Sequence, residues 1–210
     1  MSLGTVCVTA GLTGLFSFVF LAVAIGTDYW YIIDVSDSRY NHGEDSEDLN
    51  SHSGLWRICE GKNACIALID PFGEESQNVP ESQRHLLFMQ KVFVILLPLS
   101  LVLLVFGGIC GLVSSLANGL HMLLFTGSYF LVGGALTLTG IAVYIAYSKA
   151  AFAIAMHLYG HKLFDNVHIG FSWSMGLACL SCVSEVISGA LFLLAAKLVA
   201  VQHPEQSAVI

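Results

Sequence analysis

Four long apolar runs alternate with polar stretches along the chain, at residues 6–26, 92–113, 120–147 and 172–196. Each has about 20 residues or more, enough for a helix to cross roughly 30 Å of hydrocarbon. Lipid offers the backbone no hydrogen-bond partner, so a spanning run must satisfy its own N–H and C=O groups as a helix. The pattern predicts an all-α membrane bundle of four spans. Four spans put both termini on one side, with large connections at 27–91 and 149–171 on the other. Residues 1–5, the tight turn 114–119 and the tail 197–210 fall on the side of the termini. Ala22-Val23-Ala24 looks like a signal-peptidase site. A signal peptide, however, wants a basic start and an apolar core of about 7 to 15 residues. The opening MSLGT has no charge and the run is longer, so a retained span is expected.

A second pattern lies within the first connection. TDYWYIIDV (27–35), SGLWRIC (53–59) and ACIALID (64–70) are short and rich in β-branched and aromatic residues, and EGKNA between the last two reads as a turn. A small antiparallel sheet is expected here. A hairpin centred on Lys62 sets Cys59 opposite Cys65, where a cross-strand disulfide is reasonable. Trp30 and Trp56 are expected to fill the core of that sheet. The rival reading is an interfacial belt position, which suits Trp30, four residues past Gly26, better than Trp56.

Composition sharpens the picture. Of 210 residues, 56% are hydrophobic and 11% charged, against about 25% charged in soluble domains. Residues 27–91 hold twelve acids and five bases and carry the whole net charge of −7. The acid run GEDSED (43–48) makes nucleic acid an implausible partner. Seven of the eight Lys and Arg residues lie on the side of the two large connections, which the positive-inside rule would make cytoplasmic. The cysteines argue the other way. Cys7, Cys110, Cys179 and Cys182 fall in apolar runs, and Cys59 and Cys65 alone in a polar one. Such a pair suits a disulfide, which persists outside the cytosol. A zinc site would need two further ligands; His52 could be one, and no good fourth stands out. The expectation is therefore a plasma-membrane protein with extracellular connections and cytoplasmic termini.

Gly-Leu-Trp-Arg (54–57) followed by Cys59 and Cys65, with Trp30 just after the first span, resembles the claudin superfamily. That group includes claudins, peripheral myelin protein and the gamma subunits of calcium channels and glutamate receptors. GTDYW (26–30), HSGLWR (52–57), FGGICG (106–111), GIAVYI (140–145) and FSWS (171–174) resemble the gamma-subunit branch and an orphan claudin-like group beside it. The resemblance covers nearly the whole chain. It implies a left-handed four-helix bundle topped by an extracellular antiparallel sheet. Claudins have a wider gap between the cysteines and usually end in Tyr-Val; this chain ends QSAVI.

The remaining candidates are weighed singly. Glu185 lies in the fourth run, where an ionised carboxylate is costly. It is expected to bond Ser or Thr on another helix, with Ser17, Ser100, Thr137 and Thr139 as candidates, or to contact a partner subunit. Gly107 and Gly111 form a small-residue face for helix packing. His157 and His161, four apart and followed by His168, have only Asp165 nearby and read as exposed loop residues rather than a metal site. Cys179 and Cys182 spell C-x-x-C inside a span, where packing is the expected role. Cys7 and Cys110 are candidates for palmitoylation. No catalytic grouping and no cofactor site is expected. Two functions follow: an auxiliary subunit beside a channel or receptor in the same membrane, or a junction protein acting in trans at cell contacts. Membrane lipids are partners in both.

Overall fold

A computed structural model describes residues 2–34, 51–60, 64–68, 81–117, 119–159 and 168–202. The acid run 43–48, the turn residues Lys62 and Asn63, His161, Asp165 and the terminal QSAVI lie outside the described residues, as do the side chains of His157 and His168. The described elements are α1 (Leu3–Gly26), β1 (Tyr31–Asp34), β2 (Ser51–Ser53), β3 (Arg57–Glu60), β4 (Ala64–Ala67), α2 (Glu81–Ala117), α3 (Leu120–Tyr159), β5 (His168–Phe171) and α4 (Trp173–Gln202). All four helices are long and apolar enough to cross a membrane.

Two helices outrun their apolar cores. α2 begins at Glu81 rather than near 92, because ESQRHLLFMQK is polar but made largely of good helix formers. Hydropathy marks the span and not the helix. α3 likewise continues past Lys149 to Tyr159.

The sheet is antiparallel with strand order β4-β3-β2-β1-β5. SGLWRIC is not one strand. β2 ends at Ser53, the chain reverses at 54–56, and Ser53 pairs with Ile58. The Gly54 N–H donates to the Arg57 carbonyl at 2.9 Å. Glycine is required there by close approach: a Cβ on Gly54 would stand 2.6 Å from the Asp28 Cα. β5 comes from the second large connection and pairs with β1, Tyr31 opposite Phe171. Four residues so far along the chain from their partner carry little local strand signal.

The chain forms two compact units. One holds 1–22, 97–138 and 178–210, and its described elements are all helices. Its α3 and α4 approach at two glycines. A Cβ on Gly189 would stand 2.9 Å from the Gly127 carbonyl oxygen, and one on Gly127 would stand 3.0 Å from the Gly189 oxygen. Gly107 and Gly111 are both buried; Gly107 seats the rings of Phe130 and Tyr129, and Gly111 that of Phe192. The other unit holds 23–96 and 139–177, and carries the sheet. Its core is aromatic: Trp30, Phe93 and Tyr144 are buried, with Tyr144 4.9 Å from Trp30 and 5.2 Å from Phe93 between ring centroids.

Gly189→Ala should force α3 and α4 apart and lower stability by about 1–3 kcal/mol, the usual cost of overpacking. Gly176→Ala, with open space at its Cβ position, should leave it unchanged. Thermal unfolding of the detergent-solubilised chain reads both.

Candidate functional site

The segment 27–31 solves a backbone problem at both its ends. The last four carbonyls of a helix have no partner within it. At the end of α1, the Thr27 hydroxyl donates to the Val23 carbonyl at 2.8 Å. The Trp30 indole N–H donates to Ala24 at 2.7 Å, and the Trp56 indole N–H to Ile25 at 3.0 Å. The first N–H groups of α4 are equally short of acceptors. Ser172 N–H donates to the Trp30 carbonyl at 3.1 Å and Ser174 N–H to that of Tyr29 at 3.2 Å. The Thr27 and Ser174 hydroxyls lie 2.8 Å apart. The FSWS stretch thus begins α4 on carbonyls from 29 and 30.

The two tryptophans are not equivalent. Trp30 is fully buried, while Trp56 is 42% exposed. The expectation that Trp56 fills the sheet core is corrected: Leu55, at 1% exposure, takes the buried place, and Trp56 caps α1 with its ring half in the open. The 54–57 turn explains the swap, since alternation along a continuous strand does not survive a reversal. Arg57, the first residue of β3, is exposed.

The disulfide Cys59–Cys65 is formed, with 4.0 Å between Cα atoms. The two residues are direct cross-strand partners on β3 and β4, as a turn centred on Lys62 requires. Beside it on β2, His52 stacks flat on Tyr29, with 4.4 Å between ring centroids. Burial pushes the Tyr31 phenol above its ordinary range.

The second constellation lies within the helical unit. Glu185 is 0% exposed. Its Oε1 accepts hydrogen bonds from Thr137 at 2.9 Å, Ser181 at 3.3 Å and Ser17 at 3.4 Å. Ser100 joins at one remove, 2.7 Å from the Thr137 hydroxyl. Oε2 has no hydrogen-bond partner among the described residues. It faces Gly133, where a Cβ would stand 3.1 Å away. The reading of Glu185 as a partner contact is corrected by this burial: hydrocarbon penalises a carboxyl, and the side chain turns inward to three hydroxyls on α1, α3 and its own helix. Ser181 was missed, although it lies four residues before Glu185 on one helix, where side chains are neighbours. Gly133 and Gly134, which make the room, give no sequence signal of that role.

Cys7 is buried. Cys110 is half-buried. Cys182 lies 3.5 Å from the Gly134 carbonyl, and Cys179 faces outward.

The family model described as PMP-22/EMP/MP20/Claudin tight junction matches residues 15–194. The chain belongs to this family. The match takes in Trp30, the Gly-Leu-Trp turn, both disulfide cysteines and Glu185. Among curated proteins it is similar to the voltage-dependent calcium channel gamma-3 subunit of Homo sapiens, 34% identical over 140 residues, or 62% of this chain and 44% of that protein. The Bos taurus gamma-3 subunit gives the same figures. The Homo sapiens gamma-4 subunit is 34% identical over 154 residues, 66% of this chain and 45% of that protein. The chain thus spans less than half the length of these relatives. The frame of this claudin-family chain is a disulfide-stapled sheet and four helices long and apolar enough to cross a membrane.

Trp30→Phe should cost about 1–3 kcal/mol, because it orphans a buried carbonyl. Trp56→Phe should cost less, since water reaches that site. Unfolding measured with the disulfide intact separates them. Thr137→Val should lower stability by about 1 kcal/mol. A double-mutant cycle with Glu185→Gln should give a coupling of similar size, and additivity would show that the hydroxyl and carboxyl act independently.

Proposed function

We propose that this protein is a non-enzymatic auxiliary subunit that docks beside a channel or receptor in the plasma membrane. The observation that carries the reading is the similarity to proteins named as calcium channel gamma subunits over about two thirds of the chain. On this reading the sheet and residues 27–91 lie outside the cell, where a Cys59–Cys65 disulfide persists, and both termini are cytoplasmic. The acid-rich first connection steers the partner's extracellular domain by charge. The contact surface on the sheet is one register row. Ile66 pairs with Ile58, Ile58 with Ser53, Ser53 with Tyr31 and Tyr31 with Phe171. Ile58, Ile66 and Phe171 in that row are exposed, at 38%, 64% and 50%.

A second reading takes its support from the family description, which names tight junctions: adhesion in trans at cell contacts. Residues 27–91 carry a net charge of −7, so two copies facing each other repel unless salt screens them. That favours the first reading.

Imaging of the tagged full chain in mixed expressing and non-expressing cells should show an even surface distribution. Affinity purification from the same membranes should recover a channel or receptor subunit. Concentration only where two expressing cells touch would replace this reading with homophilic adhesion.

A further inference from the structure

α1 and α2 leave a groove between them in the unit that holds 1–22 and 97–138. Its walls include Val8, Leu12 and Leu15 from α1, and Val105, Ile109 and Leu112 from α2. Its floor is the stacked pair Phe130 and Phe192, 5.7 Å between ring centroids. Gly11 and Gly108 also line it, and neither has a heavy atom within 4 Å of where a Cβ would stand. The groove is therefore open because these two positions carry no side chain. Its volume is about 610 Å³, within the range of roughly 300–1,000 Å³ that ligand sites occupy.

The dimensions identify what fills it. The lining runs from Cys7 to Phe18 on α1 and from Leu104 to Ser115 on α2. At 1.5 Å per residue each wall is about 16 Å long, close to half of the roughly 30 Å hydrocarbon core. The groove starts near the first turn of α1 and the last turn of α2, which begin and end at Leu3 and Ala117. Cys7 and Ser115 line the end of the groove nearest those helix termini, and Phe18 and Leu104 line the other end. The groove is continuous with the lipid-facing surface: Val8, Leu12, Leu15, Ile109 and Leu112 are 64%, 51%, 58%, 55% and 70% exposed. A partner helix crosses both leaflets, so it does not match the length of the groove.

We propose that the α1–α2 groove is a lipid site holding one acyl chain of a phospholipid, with its headgroup at the Cys7–Ser115 end. The chain lies along the helix axes on the Phe130–Phe192 floor. It supplies the dispersion contacts that facing side chains would otherwise make.

The test uses the full chain in cells fed a photoactivatable, clickable fatty acid that is incorporated into phospholipid. After irradiation and purification, adducts are mapped by peptide mass spectrometry. Adducts should concentrate on residues 8–18 and 104–112. Gly108→Phe and Gly11→Phe should each lower that labelling about fivefold or more by filling the site. Val183→Phe, on an exposed position of α4, should leave it unchanged. Labelling spread evenly over the exposed faces of all four helices would overturn the proposal. So would labelling that survives both glycine substitutions, or groove adducts formed by a photoreactive sterol and not by the phospholipid. If neither glycine variant forms the Cys59–Cys65 disulfide, the wild-type adduct map decides alone.

Discussion

The ends of α1 and α4 need hydrogen-bond partners, and one short segment provides for both. A helix that stops at a membrane surface leaves carbonyls at one end and N–H groups at the other. Residues 27–31 cap α1 through Thr27 and Trp30, and offer the carbonyls of Tyr29 and Trp30 to the start of α4. Tyr31 then opens β1, which is paired on both sides, by β2 and β5. Five residues thus convert a helix end into a sheet. The Gly-Leu-Trp turn completes the cap by delivering the second indole to Ile25. It comes close enough only because Gly54 carries no side chain against Asp28.

The helical unit meets a different constraint. Helices in lipid gain little from apolar contact alone, since lipid tails are as apolar as leucine. They associate here through close backbone approach and through polar groups hidden from lipid. Gly127 and Gly189 provide the first. Ser17, Ser100, Thr137, Ser181 and Glu185, all fully buried, provide the second. Ser188 adds a bond to the Ala10 carbonyl at 2.8 Å, and Ser114 and Thr126 lie 2.8 Å apart. These hydroxyls fix which helix faces meet, because a slipped register leaves them unpartnered in hydrocarbon.

The spans, the disulfide pair and two of the three hydroxyl partners of Glu185, Ser17 and Thr137, were legible because each rests on one strong local signal: run length, an isolated cysteine pair, a carboxyl among apolar residues. What was missed depends on approach in space. Nothing in HIGF at 168–171 announces a partner strand at 31–34. Trp56 reads as a core residue when 53–59 is taken as one strand, and as a cap only once the reversal at 54–56 is known. The start of α2 at Glu81 was hidden because a helix that leaves the membrane keeps its propensity and loses its hydropathy. Gly127 and Gly189 carry no mark that distinguishes them from Gly176, which meets nothing.

The residues that carry the family resemblance are those with structural duties. Trp30 and Trp56 cap α1, Gly54 gives clearance, Cys59 and Cys65 staple β3 to β4, and Glu185 is sealed among hydroxyls. Their side chains are committed within this chain, so they specify the frame rather than a partner. On the proposed reading, partner choice falls to side chains that the frame leaves outside, such as Ile58, Ile66 and Phe171 on the sheet and Trp173 at the start of α4, itself 50% exposed. A frame held by inward-facing groups leaves its surface free to vary at little cost in stability. A common architecture can then serve proteins named for channels and proteins named for junctions, and the functional difference is to be sought in exposed positions and in the charge of residues 27–91.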